Sequence, residues 1–275
     1  MIGSTSPALM QPGISSFAFG WAVRFGRPPL DELGLLDFAR RHGVRVVQLA
    51  DNLPQHERSP EQRAALKTAA QTSGILLELG ARGLTEPHLQ TYLDLCREMN
   101  CSLLRFVTDQ DHYEPSLADL TSLLRNVAPV LASAQVTLGL ENHDRLQAVE
   151  LRRLIDDVGS PHVGICLDTA NSFGAGEGLE YVAEILAPVT VNLHVKDVTI
   201  RRLPHLMGFM IQGCPLGEGC LPIHRLLDRF RNLGYQDSVI LEAWHPPEPD
   251  DSATVDGELA SAESSIGTLK QWLKS

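Results

Sequence analysis

Short apolar runs recur along the chain, and each of the first seven is followed by a spacer long enough for a helix. These runs predict eight β-strands, over Gly13–Phe19, Val44–Ala50, Ile75–Leu79, Ser102–Val107, Val136–Glu141, Val163–Asp168, Thr190–Val195 and Val239–Glu242. Leucine, alanine and valine at three- and four-residue intervals predict helices over Leu30–His42, Pro60–Ser73, Glu86–Asn100, Pro115–Ala134 and Ala148–Val158. Pro60 and Pro115 mark helix starts, and Gly43, Gly74 and Gly159 mark helix ends.

Strands that alternate with helices predict a parallel sheet of the α/β class. Eight such units in 275 residues leave about 34 residues for each, close to what a strand–helix repeat needs. The alternative, an open doubly wound sheet, usually carries a glycine-rich phosphate turn after its first strand, and Gly20–Val23 is not such a turn. We therefore predict a single-domain (β/α)8 TIM barrel over residues 1–275, with a solvated loop at Pro246–Asp256 and a last helix at Gly257–Leu273.

Composition narrows the classes of partner and the compartment. The formal charge of −11 argues against a nucleic-acid binder, which usually presents a basic face, and no run of about 18 apolar residues predicts a membrane span. Met1–Gly13 lacks the positive cluster and apolar run of a secretory signal. The five cysteines are scattered, odd in number and without a C-x-x-C pair. We expect a cytoplasmic protein with reduced thiols and no nucleic-acid or membrane partner.

Ionisable residues end four successive predicted strands: Glu141, Asp168, His194 and Glu242. In such a barrel the C-terminal ends of the strands meet at one mouth, where catalytic groups lie. A carboxylate directly after a buried strand is costly unless it is paired or bound to a metal. Three carboxylates and one imidazole suit Mn²⁺, Mg²⁺, Co²⁺ or Zn²⁺ and leave positions open for substrate. The sequence predicts one divalent-metal site, with a metal-free polar network as the alternative.

Five strings carry a family resemblance: Glu141-Asn142-His143, Leu167-Asp168-Thr169, Asn192-Leu193-His194-Val195-Lys196-Asp197, Pro215-Leu216-Gly217-Glu218-Gly219 and Ile240-Leu241-Glu242. They resemble the xylose-isomerase-like TIM-barrel superfamily, which includes sugar isomerases, ketose 3-epimerases, inosose dehydratases and hydroxypyruvate isomerases, with endonuclease IV more distant. The resemblance implies that Glu141, Asp168, His194 and Glu242 ligate one metal ion. It also implies that the two glutamates are catalytic and exchange the substrate proton.

Polar residues near these strand ends are candidates for substrate binding. Lys196 and His143 each lie two residues beyond a predicted ligand, so on a strand they share its face. Lys196 either meets an anionic substrate or pairs with a ligand carboxylate. His143 is interpreted as a hydrogen-bonding partner rather than a fifth ligand. Asn171 stands where the epimerase pattern has histidine; it bonds a substrate hydroxyl or caps the next helix, and it cannot carry a proton.

The connection Val198–Leu221 is long, which is typical of a lid or a substrate-binding loop. Its Arg201 and Arg202 are candidates for gripping a carboxylate or phosphate. The apolar run Leu206–Met210 in the same segment is instead compatible with a homo-oligomer contact.

Three residues elsewhere complete the candidates. Trp21, after the first strand, is either a wall against the sugar carbons or a packing residue. Arg24 and Arg105 are further candidates for anion binding. Nucleophilic catalysis is not indicated, because the sequence has no G-x-S-x-G elbow and no cysteine in a recognisable catalytic context.

Two enzyme functions follow from the site and the resemblance. A divalent metal that chelates a carbonyl and its neighbouring hydroxyl acidifies the α-proton, so we expect an isomerase or epimerase that acts on a small keto-sugar or sugar acid through an enediolate. The alternative is a metal-dependent carboxy-lyase of an oxo-sugar acid, 3-oxo-isoapionate-like as in apiose breakdown. Abasic-site DNA repair needs a histidine-rich multi-zinc cluster and a phosphate-attracting surface. It is disfavoured by the charge of −11, and a non-catalytic binding protein is disfavoured by the four ionisable strand ends.

Overall fold

The computed structural model describes residues 10–27 and 31–274. Its strands are β1 (Gln11–Ser15), β2 (Val46–Leu49), β3 (Leu76–Arg82), β4 (Leu103–Val107), β5 (Thr137–Glu141), β6 (Val163–Asp168), β7 (Thr190–Val195), β8 (Asp197–Arg202), β9 (Phe209–Cys214) and β10 (Ser238–Leu241). Eight of them form a closed parallel barrel in the order β1-β10-β7-β6-β5-β4-β3-β2. The predicted α/β class and (β/α)8 barrel are confirmed.

Helices fill the connections between the barrel strands and follow the last one. They are α1 (Gly20–Arg24), α2 (Glu32–Arg41), α3 (Pro60–Ser73), α4 (Glu86–Met99), α5 (Leu117–Ala134), α6 (Ala148–Val158), α7 (Leu179–Leu186), α8 (Ile223–Asn232) and α9 (Asp251–Lys274). Short 3-10 helices cover Ser16–Phe19, Gln55–Glu57, Asn171–Phe173 and Ala187–Val189. Apolar side chains from the helices and the outer strand faces form one continuous buried core.

Local sequence signals explain why α3 begins and ends where predicted. The Ser59 hydroxyl accepts a hydrogen bond from the Gln62 backbone N–H, and the Gln62 side chain accepts one from Ser59, which is a capping box. Pro60 occupies the first turn, where a missing N–H costs nothing. Gly74 ends the helix at φ +65°, a conformation that glycine adopts without strain.

Two predicted helix starts lie two residues too early. Pro115 lies before the start of α5, because the Ser116 hydroxyl caps the helix by accepting a hydrogen bond from Asp119 N–H. Asp31 caps α2 in the same way, so that helix begins at Glu32. The predicted start at Leu30 lies outside the described residues.

The C-terminal helix is longer than predicted. Half of the loop predicted at Pro246–Asp256 is helical, since α9 begins at Asp251 rather than Gly257. The Asp250 side chain accepts a hydrogen bond of 2.8 Å from the Ala253 N–H and so supplies the start signal. The proline and acidic residues of Pro246–Asp256 predict a solvated loop, although acidic residues are also favourable in a first helical turn.

Two barrel strands differ from prediction by three residues or more at their C-terminal ends. β1 stops at Ser15, where the side chain accepts a hydrogen bond from Phe17 N–H and starts a 3-10 turn. β3 continues three residues beyond Leu79, through Gly80 to Arg82. Gly80 is needed because a methyl group there would lie 3.0 Å from Ala50 Cα. The apolar run ends at this glycine, which is why the sequence placed the strand end too early.

A buried polar group fills the barrel interior below the mouth, and we call it the lower cluster: Gln48, Glu78, Asn192 and Ser238. The Glu78 carboxylate accepts hydrogen bonds from Ser238 Oγ at 2.5 Å, Gln48 Nε2 at 3.0 Å and Asn192 Nδ2 at 3.3 Å. Burial raises the pKa of Glu78, and these three hydrogen bonds oppose the rise.

The segment predicted as an irregular loop at Val198–Leu221 is largely an antiparallel hairpin of β8 and β9. The hairpin exposes a series of apolar side chains to solvent: Ile200, Leu206, Met207, Phe209, Met210 and Ile211. Turn signals in it were too weak to predict strands. Among the described residues, no helix is long and apolar enough to cross a membrane.

Candidate metal centre

Four side chains from four neighbouring strands converge at the barrel mouth, and we call them the upper cluster: Glu141, Asp168, His194 and Glu242. Each offers a ligand atom, and these atoms all lie within 4.8 Å of one another. All four side chains are buried. The predicted convergence of the strand ends is therefore present in the structure.

The alternation of a β-strand explains why these residues face inward, since side chains two residues apart share a face. The intervening polar residues face the other way and tie strands together. Asn142 donates from Nδ2 to the Asp168 carbonyl at 3.0 Å and accepts at Oδ1 from the Asp168 N–H at 2.7 Å. The Thr169 hydroxyl similarly donates to the Lys196 carbonyl at 2.7 Å. These contacts fix the spacing of the strands that carry the upper cluster.

The donor set of the upper cluster fits a divalent metal ion. Ion pairs reach four of its ligand atoms: Arg105 lies against Glu141 Oε2, Lys196 Nζ is 3.0 Å from Asp168 Oδ2, and His194 Nδ1 is 3.1 Å from Glu242 Oε1. Among the described residues, His194 Nε2 has neither a hydrogen bond nor an ion pair, although buried polar atoms are nearly always partnered. Carboxylate oxygens with one imidazole nitrogen match the donors that Mn²⁺, Mg²⁺, Co²⁺ or Zn²⁺ accept. Cys166 also lies within reach of Glu141 and His194.

Most of the chain matches one protein family. Residues 36–272 match the family described as Xylose isomerase-like TIM barrel. The chain belongs to this family. Its members' shared fold accounts for the closed barrel and for the strand-end positions of the upper cluster.

Two of the similar proteins are named as enzymes of a sugar or a sugar acid. The chain is 33% identical over 238 residues to a 3-oxo-isoapionate decarboxylase of Pectobacterium atrosepticum, covering 86% of each protein. It resembles a D-psicose 3-epimerase of Clostridium cellulolyticum H10, solved with D-tagatose, at 17% identity and a TM-score of 0.71, covering 96% of this chain and 99% of the other. A barrel protein of Mycobacterium smegmatis, solved with magnesium, has 13% identity and a TM-score of 0.69, covering 98% and 100%. The two solved structures show the fold alone.

Lys196 is held inside this xylose isomerase-like site by three acceptors. Its Nζ lies 2.9 Å from Glu242 Oε2, 3.0 Å from Asp168 Oδ2 and 3.2 Å from Asn171 Oδ1. Its position also places Nζ 4.7 Å from the centre of the Trp244 ring. The structure contains the ion pairs with the Asp168 and Glu242 carboxylates. Binding of an anionic substrate by Lys196 stays a prediction.

Arg105 pairs with Glu141 from the neighbouring strand β4. Its Nε contacts Glu141 Oε2, and its Nη1 lies 2.6 Å from Asp51 Oδ1. The Arg105 side chain is only 2% exposed. Its Cδ would lie 3.4 Å from a methyl group placed on Gly80. The small residue on β3 therefore makes room for a large cation beneath the barrel mouth.

These ion pairs set the charges of the site. Burial alone would raise the pKa of Glu141, but Arg105 and His194 outweigh it and lower that pKa to about 2. Burial would lower the pKa of Lys196, but Asp168 and Glu242 outweigh it and raise that pKa. Burial raises the pKa of Asp168, and Lys196 opposes this effect. At neutral pH Glu141 is ionised and Lys196 carries its proton.

Asn171 links Glu141 of the upper cluster to Lys196. Its Nδ2 donates to Glu141 Oε1 at 2.7 Å, while its Oδ1 accepts from Lys196. The alternative that Asn171 caps the next helix is wrong, because Ala170 is the residue before the 3-10 helix and Gly178 precedes α7. The side chain lies at the site, as the prediction of substrate binding requires.

His143 lies at the rim of the mouth rather than in the upper cluster. Its Nδ1 lies 3.1 Å from Asp144 Oδ2, and its Nε2 lies 3.4 Å from Arg82 Nη2. Arg82 also contacts Asp51, with Nε 3.3 Å from Oδ2. A position outside the ligand set agrees with the prediction that His143 is a hydrogen-bonding partner.

The two remaining predicted substrate residues have structural contacts. The Trp21 indole donates to the His245 carbonyl at 2.7 Å, and its ring stacks on Phe25. Arg202 lies at the end of β8, where it donates to the Leu206 carbonyl at 2.9 Å and packs over the Phe209 ring. These contacts place Arg202 in the hairpin tip, and none joins it to the upper cluster. Substrate binding by Trp21 and Arg202 stays a prediction.

Sequence analysis missed a structural acid beside the site. The Asp197 carboxylate accepts hydrogen bonds from the backbone N–H groups of Val198, Gly217, Gly219 and Leu221, at 2.8 to 3.2 Å. A methyl group on Gly219 would lie 2.0 Å from Asp197 Oδ1, which explains the glycine. The motif Pro215–Gly219 is thus a folded loop anchored on strand β8, and the two glycines in the motif are the signal that could have revealed it.

Proposed function

We propose that this protein is a divalent-metal-dependent decarboxylase of an oxo-sugar acid related to 3-oxo-isoapionate. The observation that carries the proposal is that both glutamates of the upper cluster are paired with buried cations, Glu141 with Arg105 and Glu242 with Lys196. An epimerase would need both as proton carriers, whereas a carboxy-lyase needs one proton after CO₂ has left. The 33% identity to a 3-oxo-isoapionate decarboxylase supports the same reaction class.

The metal would be held by Glu141, Asp168, His194 and Glu242. When bound, a divalent ion supplies Lewis-acid polarisation of the substrate carbonyl. The protein side chains supply the rest of the environment. Arg105 keeps Glu141 ionised, and Asn171 fixes the orientation of that carboxylate through its 2.7 Å hydrogen bond.

The reaction proposed is the loss of CO₂ from a β-oxo acid. The bond between the carboxylate and its neighbouring carbon breaks, and its electron pair moves toward the carbonyl oxygen to give an enolate and CO₂. The same carbon then takes one proton, and the enolate becomes a ketone. We assign the delivery of this proton to the Lys196–Glu242 pair, in which Nζ lies 2.9 Å from Glu242 Oε2.

Isomerisation or epimerisation of a keto-sugar is the second candidate, since the same four ligands and the enediolate chemistry would serve it. The observation in its favour is that both glutamates belong to one cluster within 4.8 Å. One feature opposes it: Asn171 stands where the epimerase pattern has histidine, and it cannot carry a proton.

Isotope labelling separates the two candidates. The Mn²⁺-loaded protein is incubated in D₂O with a 3-oxo-sugar acid labelled with ¹³C at the carboxyl group, and in parallel with D-fructose and D-tagatose. We expect labelled CO₂ and one deuterium on the carbon that lost it, with no exchange into the ketoses. Deuterium exchange into a ketose without CO₂ release from the acid would contradict the proposal and support the second candidate.

A variant pair links the result to the site. Lys196→Met should strongly lower the steady-state rate of CO₂ release, because the enolate left after CO₂ loss no longer has its proposed proton donor. Arg97→Gln is the matched control, since Arg97 forms an exposed pair with Asp94 on α4. Full activity in Lys196→Met would show that the proton comes from elsewhere.

A further inference from the structure

Arg82 has a more exposed side chain than the other three cations near the barrel mouth that the structure describes in ion pairs, Arg105, Arg145 and Lys196. It ends β3, where Glu78, Gly80 and Arg82 share the inward face, and its side chain is 35% exposed. The strand register pairs Arg82 with Val107 on β4. Val107 is two residues beyond Arg105, so Arg82 lies one layer above the buried arginine that pairs with Glu141.

The other cations around the mouth are occupied. All three protons of the Lys196 ammonium face acceptors. Arg105 is buried between Glu141 and Asp51. Arg145 makes a two-pronged pair with Asp109 at 2.6 and 2.8 Å. A new anion therefore has little to gain from these three side chains.

The Arg82 guanidinium, by contrast, has more N–H donors than the described residues have acceptors in contact with it. Within the described part of the chain its contacts are with Asp51 Oδ2 at 3.3 Å and His143 Nε2 at 3.4 Å. Asp51 lies closer to Arg105, at 2.6 Å, so Arg82 has only a share of that carboxylate. A guanidinium carries five N–H donors in a planar fork that matches a carboxylate. His143 holds this fork at the rim, because its other ring nitrogen is 3.1 Å from Asp144.

A divalent ion would make the mouth more favourable to an anion. Five carboxylates and three permanent cations surround it: Asp51, Glu141, Asp144, Asp168 and Glu242, with Arg82, Arg105 and Lys196. The ion would add two positive charges to this group and so offset the excess of carboxylates. A substrate carboxylate that approaches Arg82 would then meet less repulsion.

We infer that Arg82, positioned by His143, binds the carboxylate of the substrate and makes this site specific for a sugar acid over a neutral sugar. The inference rests on the proposed function, because a decarboxylase must hold the group that leaves. Arg82 is a specificity-determining residue, and the proton transfers belong to the upper cluster. Its contact with carboxylate charge weakens as CO₂ forms, so it should act mainly on KM and little on kcat.

Calorimetric binding of unreactive ligands tests this inference without turnover. L-Threonate, a four-carbon acid without a β-oxo group, and L-threitol, its neutral counterpart, are titrated into Mn²⁺-loaded protein. In Arg82→Gln we expect threonate to bind about 10- to 100-fold more weakly, since a charge-assisted contact is lost, while threitol binding is unchanged. Arg82→Lys should keep part of the preference for the acid, and Arg97→Gln should behave as wild type.

Several outcomes would overturn the inference. They are the absence of threonate binding to the loaded wild type, an equal loss for acid and polyol in Arg82→Gln, or no loss for either. Circular dichroism and the melting temperature of Arg82→Gln check folding, and Arg82→Lys provides a variant of the same charge if the glutamine variant is unstable.

Kinetics separate the failure of this inference from that of the proposed function. If the wild type releases CO₂ and Arg82→Gln leaves KM unchanged, Arg82 does not bind the carboxylate, although the decarboxylase proposal stands. If no oxo-sugar acid is decarboxylated but threonate binding still depends on Arg82, the site recognises acids and performs another reaction on them.

Discussion

Two clusters of buried polar groups occupy the same barrel and are built in opposite ways. In the lower cluster the Glu78 carboxylate receives three hydrogen bonds from neutral side chains, and one acceptor, Gln48 Oε1, lacks a partner. In the upper cluster the carboxylates pair instead with Arg105, Lys196 and the His194 ring, and among the described residues His194 Nε2 has no partner. The lower network joins one carboxylate to neutral hydrogen-bond donors, whereas the upper one gathers three carboxylates and an imidazole within reach of one ion. Burial of polar groups alone therefore does not identify a site, and a set of metal-ligand donors does.

The clusters are adjacent rather than independent. Cys166 Sγ lies 3.3 Å from Asn192 Oδ1, and Asn192 also receives a hydrogen bond from Gln48. Cys166 in turn lies beside Glu141 and His194. The lower cluster thus lies directly beneath the upper one and contacts it through Cys166. Matched substitutions in the two clusters test whether their roles differ.

The largest expected effect is on turnover. Glu242→Gln should lower kcat about 10²- to 10⁴-fold, because it removes both a proposed ligand and the partner of Lys196. Glu78→Gln, the matched change in the lower cluster, should leave kcat within about threefold, an effect below the ~1.4 kcal/mol of a tenfold change. Steady-state CO₂ release measures both, and equal losses would show that the two clusters form one functional unit.

Metal removal should act on the upper cluster alone. A ligand at 100 times its dissociation constant stabilises the folded state by about 2.7 kcal/mol, so Mn²⁺ should raise the melting temperature and chelation should reverse the rise. His194→Ala should lose this shift, and Glu78→Gln should retain it. A rise of the same size in His194→Ala would place the ion outside the upper cluster.

Asp197 offers an intermediate case, since it lies on the upper side of the barrel but is fully hydrogen-bonded. Asp197→Ala leaves the backbone N–H groups of the loop without their acceptor and should cost about 1–3 kcal/mol of unfolding free energy. Because no ligand atom is lost, Mn²⁺ affinity should remain near wild type. Urea denaturation and calorimetry measure the two quantities, and a lost affinity with unchanged stability would reverse the assignment.

The smallest expected effect is the pH dependence of Glu78. Its pKa is raised in the folded protein, so the folded state binds more protons than the unfolded state above the ordinary glutamate pKa. Stability should therefore fall as pH rises from the unfolded pKa through the raised folded pKa, and remain lower above it. Glu78→Gln should lack this component of the fall. Urea denaturation of both proteins from pH 4 upward measures the free energy of unfolding against pH. Parallel curves for the variant and the wild type would contradict the prediction.

Much of the fold could be predicted because apolar runs and amphipathic spacers repeat along the chain. The errors occurred where a side chain overrides the apolar pattern, as with Ser15 ending β1 and Asp250 starting α9 early. The hairpin of β8 and β9 was missed because its strands expose apolar residues and do not alternate in the usual way.

The upper cluster was predictable because each member directly ends an apolar run. The position of Arg82 was not predictable, because Gly80 interrupts the apolar run of β3. The strand continues past this glycine, and its alternation of side chains then points Arg82 inward. Pairings between strands, such as Arg105 with Glu141, depend on which strands become neighbours and on the space left by glycine. A single sequence does not state such distances.

Manganese stoichiometry tests the central claim most directly, because the upper cluster is proposed as the single metal site of the barrel. Mn²⁺ is titrated into wild type, Asp168→Asn and Glu78→Gln, and free ion is followed by its electron paramagnetic resonance signal. We expect one bound ion per chain in wild type and Glu78→Gln, and a large loss of affinity in Asp168→Asn. Stoichiometric binding that survives in Asp168→Asn, or the absence of binding in wild type, would contradict the account.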